Sequence, residues 1–171
     1  MRNFAIPLIL LPILIFFNLS IFLKEDLRRN GDLILIELAP VDPRSLMQGD
    51  YMRLRYKLIE EANKALNAEV GEESADTQVT ALVLALAQNK QATFKRLHHG
   101  EALGDGEQLL SVQHRRLAKP QRLKLTPTSF FFQEGHASLY QEARFGLMRV
   151  AADGAHLLVG LADDEGRPIT P

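Results

Sequence analysis

Residues 42–50 bring Asp42, Arg44, Ser45 and Asp50 within nine positions, and Lys57 follows shortly after. Two nearby carboxylates could divide acid–base work, and a serine with a lysine amine close by is the nucleophile-and-base pairing of a serine–lysine hydrolase. Membrane proteases of that kind also carry Gly-Asp after the serine. The spacing argues against this chemistry, because only Leu46, Met47 and Gln48 part Ser45 from Gly49, and Pro43 precedes the serine. The same residues account for themselves as a corner. Pro43 presets a turn, Asp42 can accept from neighbouring backbone N–H groups, Gly49 permits a positive φ, and Asp50 can bond the turn or pair with Arg44. The run that follows, "YMRLRY", alternates Met52, Leu54 and Tyr56 on one side with Tyr51, Arg53 and Arg55 on the other, as a strand does.

Other chemistry-bearing residues are weaker. His98 and His99 are adjacent, so on a strand they diverge, and no metal-ligand spacing accompanies them. An exposed loop accounts for them. His114, Arg115, Arg116, Lys119, Arg122 and Lys124 make a basic run that could meet anionic lipid headgroups, at about 1 kcal/mol per charge near the surface. A solvated strand face with a turn at Pro120 explains them more simply. Phe130, Phe131 and Phe132 must set rings on both sides of a strand. With no cysteine there is no disulfide, thiolate zinc site or cysteine nucleophile. There is no phosphate loop, dinucleotide fingerprint or zinc-protease helix signature either. Twenty Lys and Arg against 21 Asp and Glu leave a net charge of −1, without the basic excess expected of a nucleic-acid partner. No catalytic residue, metal ligand or cofactor is assigned.

These residues must be positioned by the elements around them. Residues 4–23, "FAIPLILLPILIFFNLSIFL", hold no charge, and Leu, Ile and Phe dominate them. As a helix of about 30 Å, such a run matches the hydrocarbon core of a bilayer. It is longer than the core of a cleaved signal peptide and ends in "SIFLKEDLRR" without small residues at a cleavage spacing, so an uncleaved anchor is expected. Arg2 lies before the run and Lys24, Arg28 and Arg29 after it, a near balance of basic residues. The expected orientation places the N-terminus inside and the domain outside the cytoplasm, as short-tailed anchors usually insert.

Beyond it, the charged stretch from Lys24 to Asn30 should continue the helix to a stop at Gly31. "DLILIELAP" reads as a strand closed by Pro40, and "KLIEEANKALNAEV" as a helix with Leu58, Ile59, Ala62, Ala65 and Leu66 on one face and a Glu60–Lys64 pair. "QVTALVLALA", "QATFKRL", "EQLLSVQHRRL" and "RLKLTPTSFFF" predict further strands. "SLYQEARFG" predicts a short helix with a Ser138–Gln141 capping box ending at Gly146, and Asp153-Gly154 predicts a two-residue hairpin turn. The expected fold class is α+β: an N-terminal transmembrane helix, then a mostly antiparallel β domain of about seven strands with two short helices. Residues 1–30 form the anchor and juxtamembrane segment, and residues 31–171 the globular domain.

Gly49, Asp50, Tyr51, Leu54 and Tyr56 together spell a motif, and "ELAPVDPRSLMQGDY" upstream and "FFFQEGHASLYQEARFGLMRV" downstream, with Glu134 and Gly135, accompany it. On these stretches the chain resembles the GDYXXLXY family of bacterial membrane-anchored proteins. Taken with the anchor and the lack of a catalytic constellation, the resemblance leads to the expectation of a non-catalytic interaction domain at the inner membrane, which the expected orientation places on the periplasmic side. It also implies a partner among multi-spanning membrane proteins, whose genes often neighbour those of the family. It supplies no catalytic residues. Asp42, Pro43, Arg44, Gly49, Asp50, Tyr51, Leu54, Tyr56, Glu134 and Gly135 are the expected structural or interaction residues. Two alternatives remain at this point: a tethered hydrolase using the Asp42–Asp50 corner, and a sensor of a small molecule or lipid.

Overall fold

A computed structural model describes residues 2–39, 51–70, 79–115 and 122–170, with residues 2–9 and 70 described by their backbone alone. The sequence alternation becomes a curled sheet with one helix on its inner face. β1 (Asp32–Glu37) shows how. Ile34 and Ile36 point into the main core, while Leu33 and Leu35 join Leu147, Ala162 and Phe145 in a small cluster on the opposite face. β1 lies at the centre of a six-stranded sheet, pairing antiparallel with β9 (Phe145–Val150) and parallel with β4 (Gln91–Leu97). The order is β10-β9-β1-β4-β3-β5, with β3 at Ala81–Leu86, β5 at Glu107–Ser111 and β10 at His156–Ala162. The β1–β4 pair is the parallel one among these strands, so the sheet is mostly antiparallel, as short connections dictate.

The edge strand β5 is tied back to the turn between β9 and β10. Ser111 N–H donates to Gly154 O at 2.9 Å and the Gln108 amide donates to Ala151 O at 3.0 Å. Because four strands separate β5 from β10 in the sheet, these bonds require a strong curl. Two short ribbons close the structure: β2 (Tyr51–Arg53) with β8 (Ser129–Phe131), and β6 (Gln113–His114) with β7 (Leu123–Lys124).

The helices differ in what they contact. α2 (Lys57–Val70) packs on β4 and β1 and buries Leu58, Ala62 and Leu66, spaced four apart on one face. α1 (Arg2–Asn30) is a 29-residue helix, about 43 Å long, that touches the sheet at β9 and β10. Leu27 alone among its described apolar side chains is buried. The helix stops where the chain meets the sheet: Gly31 N–H donates to Leu27 O at 3.0 Å, and Arg149 donates to Gly31 O at 2.7 Å. A Cβ on Gly31 would come within 2.6 Å of that Leu27 oxygen, so the close approach needs glycine.

Several expectations need correction. Among the described residues no helix is long and apolar enough to cross a membrane. Within α1 the side chains are described from Leu10, and the apolar stretch from there to Leu23 meets Lys24, Glu25 and Asp26. The strand count is ten among the described residues, because "EQLLSVQHRRL" and "RLKLTPTSFFF" each break into shorter pieces. The Ser138–Gln141 capping box does not form. A single 3-10 turn, Ala137–Tyr140, is preceded by His136, and Gln141 N–H bonds the backbone oxygen of Ser138, while Gly146 lies inside β9. The β9–β10 loop has five residues rather than two: Ala151 N–H bonds Ala155 O, and Asp153 accepts from Ala155 N–H around Gly154 at φ +85°. Glu60 pairs with Arg55, at 2.6 Å, in place of Lys64.

Candidate functional site

The corner motif is described from Tyr51 onward; Asp42, Pro43, Arg44, Gly49 and Asp50 lie outside the described residues. The alternation read from "YMRLRY" holds beyond the three-residue strand. Met52, Leu54 and Tyr56 are buried, Arg53 and Arg55 are exposed, and Tyr51 is half-buried. The strand ends at Arg53, yet its last residues keep extended pairing. Ala39 N–H bonds Arg55 O at 2.8 Å and Tyr56 forms an antiparallel bridge with Leu38.

The inward residues of the motif pin one loop. Three consecutive carbonyls between β7 and β8 are each held from a different place. Thr126 O lies 2.8 Å from His156 Nε2, Pro127 O accepts from the Tyr56 hydroxyl at 2.8 Å, and Thr128 O accepts from Leu54 N–H at 2.9 Å. Burial pushes the Tyr56 phenol well above its ordinary range, so it stays a neutral donor. Its ring lies over Gly146, where an added Cβ would meet Tyr56 Cε1 at 3.4 Å and Leu158 Cδ1 at 3.3 Å. The downstream "RFG" thus makes room for the tyrosine of the upstream motif.

The aromatic triplet divides as a strand must. Phe130 and Phe132 pack on buried Tyr140, with centroids 5.1 and 5.2 Å away. Phe131 points outward, 74% exposed, and meets Tyr51 at 5.7 Å. Tyr51 pairs with Phe131 in register, so the two rings form an outward aromatic pair at the start of β2. Glu134 and Gly135 sit in the exposed turn just past the same end of β8, where Gly135 takes φ +85° and His136 N–H bonds Gln133 O.

Chemistry at this corner is limited by its lysine. Lys57 Nζ lies 2.9 Å from Glu37, and that hydrogen bond and charge raise the amine's pKa above its ordinary value. A serine–lysine hydrolase needs a neutral amine, and this one is held as ammonium. His98 and His99 face Glu101 at 3.9 Å and Glu69 at 3.4 Å separately. Among the described residues no group of three His, Asp or Glu is placed to hold a metal ion. Of the basic run, Arg116, Lys119 and Pro120 lie outside the described residues. Arg122 corrects the solvated-face expectation, being only 5% exposed.

Sequence reasoning missed Thr126, Pro127, Thr128, Asn63 and His156. The Asn63 amide donates to Leu123 O at 3.1 Å and accepts from Leu123 N–H at 2.8 Å, so it stands in for a strand neighbour between α2 and β7. An Asn on the buried side of a predicted helix was the signal available.

A curled, mostly antiparallel sheet with one packed helix and one protruding apolar helix defines an α+β domain with an N-terminal helical extension. The chain belongs to the GDYXXLXY family: the family model described as GDYXXLXY protein matches residues 13–161, which takes in the apolar helix from Ile13 as well as the domain. No curated protein and no solved structure matches the chain.

Proposed function

We propose that this protein is a membrane-anchored, non-catalytic interaction domain that works beside an integral membrane partner. One observation carries the anchor: every Leu, Ile and Phe from Leu10 to Leu23 is between 46% and 68% exposed, although the helix continues unbroken into the domain. A soluble surface does not ordinarily present an apolar helix on all its faces. In sequence the uncharged run extends back to Phe4, which supplies the roughly 20 residues a bilayer requires. Residues 1–30 are then the anchor and residues 31–171 the domain, facing the periplasmic side of the inner membrane.

The interaction reading is supported by the outward Tyr51–Phe131 pair on a strand whose inward residues Met52, Leu54 and Tyr56 are buried. Aromatic side chains exposed on a rigid support are the usual anchors of protein interfaces. The partner suggested by the family resemblance is a multi-spanning membrane protein.

The test uses the absence of cysteine. Asp105→Cys in the full chain should react with a membrane-impermeant maleimide in right-side-out but not inside-out vesicles, and the protein should stay in the membrane through alkaline carbonate. Extraction by carbonate would refute the anchor, and labelling only in inside-out vesicles would reverse the orientation. A photo-crosslinker at Phe131 should join an identified polytopic membrane protein, and Tyr51→Ala should weaken that adduct. No adduct in several detergents would refute the partner.

A further inference from the structure

Beneath the motif, on the side away from the aromatic pair, lies a cleft of about 440 Å³ between α2 and the β6–β7 ribbon. That size is within the range of small-ligand sites. Its floor is apolar and closed: Leu54, Tyr56, Ile59, Leu123 and Leu125 line it, four of them buried and Ile59 partly so. Its rim is basic. Arg55, Lys64, Arg115 and Lys124 stand around it against one carboxylate, Glu60, so the lining carries four positive charges and one negative, a net of +3. Glu60 is already engaged by Arg55 at 2.6 Å. Among the described residues Lys64, Arg115 and Lys124 have no ion pair.

The walls are held in place before any ligand arrives. Asn63 bonds both backbone groups of Leu123 across the cleft's base, and Tyr56 and Leu54 fix the loop at its end through Pro127 O and Thr128 O. A fixed apolar floor beneath a rim that carries Lys64, Arg115 and Lys124 without an ion pair among the described residues fits a ligand with one anionic end and a short apolar body. The cations concentrate such an anion at the mouth, and the floor takes its hydrocarbon from water.

We propose that this cleft binds a small amphipathic anion, a carboxylate or phosphate monoester carried on a short apolar chain. The proposal does not depend on the membrane-partner reading, since its residues lie on α2, β7 and the end of the motif rather than on α1 or the Tyr51–Phe131 face. The experiment titrates the full chain, held in phosphatidylcholine nanodiscs, with hexanoate, hexyl phosphate and hexyltrimethylammonium by calorimetry. The two anions should bind saturably and the cation should not. Lys64→Glu with Lys124→Glu should weaken anion binding by about tenfold or more, as expected for a reversed charge at a binding rim. Arg53→Glu, a surface arginine elsewhere, should leave it unchanged. Circular dichroism and the thermal midpoint check folding, and if charge reversal unfolds the protein, the Lys64→Gln, Lys124→Gln pair replaces it. Absent saturation, equal binding of the cation, or undiminished affinity in the folded double variant would overturn the proposal. With binding established, competition by phosphatidylglycerol in the nanodisc assigns the anion to a bilayer lipid, and its absence assigns it to a soluble amphiphile. Failure of the chain to enter nanodiscs would refute the anchor alone, and the same titration then proceeds in a non-ionic surfactant.

Discussion

The two α-helices among the described residues are both rich in apolar residues, yet the described fold buries the apolar face of only one of them. In α2 the apolar residues recur at Leu58, Ala62 and Leu66, and all three disappear into the core, while the charged face stays outside. In α1 the apolar residues between Leu10 and Leu23 follow no face and stay exposed among the described residues. Periodicity therefore separates a helix whose apolar residues the described domain buries from one whose apolar residues it leaves exposed. The junction sharpens the contrast. Leu27, Gly31 and Arg149 join α1 to the sheet through a buried side chain, a close backbone approach and a 2.7 Å hydrogen bond, so the apolar helix projects from the domain as a continuation rather than on a loose tether.

The largest effect expected from this comparison is on stability. Leu66 is fully buried under the sheet, so Leu66→Ala should cost about 2–5 kcal/mol, the usual range for deleting a large core side chain. Phe16→Ala, in the exposed apolar stretch, should change domain stability by no more than about 0.5 kcal/mol. Denaturant unfolding of both variants in the same lipid carrier measures the difference. Comparable losses would mean that α1 belongs to the domain core after all.

A middle-sized effect distinguishes the two long-range pins of the motif region. Tyr56→Phe removes the hydroxyl donor to Pro127 O and should cost about 0.5–1.5 kcal/mol, because that carbonyl belongs to a partly buried contact. Asn63→Leu should cost more, about 1–3 kcal/mol for each Leu123 backbone group left buried without a partner. Amide exchange would localise both losses: Tyr56→Phe should speed exchange at Leu54, and Asn63→Leu at Leu123. Unchanged protection at Leu123 would remove Asn63 from its bridging role.

The sequence made the local part of this structure legible and hid the non-local part. Apolar runs between turn residues marked β1 and β4, alternation marked the inward residues Met52, Leu54 and Tyr56, and the helical period marked α2 with its bounds. Those signals come from neighbours within a few residues. The bonds that assemble the corner span longer distances: Tyr56 to Pro127, Asn63 to Leu123, His156 to Thr126, and the room that Gly146 leaves for Tyr56. No period records them. Two local signals misled because tertiary packing overrode them. Ser138 and Gln141 have capping-box spacing, but the chain there makes a single 3-10 turn. Asp153-Gly154 favours a two-residue turn, but the loop has five residues, and a Cβ on Gly154 would stand 3.0 Å from Ser111 N.

The smallest effect concerns two carboxylates, one on each side of the comparison. On α1, hydrogen bonds from Arg28 and then Arg29 hold Glu25 down to about 2. On the sheet, Gly104 N–H and Lys95, with Arg96 nearby, hold Glu107 below the ordinary carboxylate range. For both, the folded value lies below the unfolded one. Any stabilisation is therefore present above the ordinary carboxylate pKa near 4 and is lost as pH falls through the lowered value. The sites differ in exposure. Glu107 is 6% exposed and closes the β4–β5 loop, whereas Glu25 is solvated and its pairs with Arg28 and Arg29 run along one helix face. Glu107→Gln should lower the thermal midpoint at pH 7 and flatten its fall between pH 5 and pH 3. Glu25→Gln should leave the midpoint near wild type throughout that range, since exposed ion pairs on a helix contribute little. If Glu25→Gln shifted the domain's midpoint as much as Glu107→Gln, the charged end of α1 would be part of the cooperative unit, and the division between the two helices would have to be drawn nearer to Leu23.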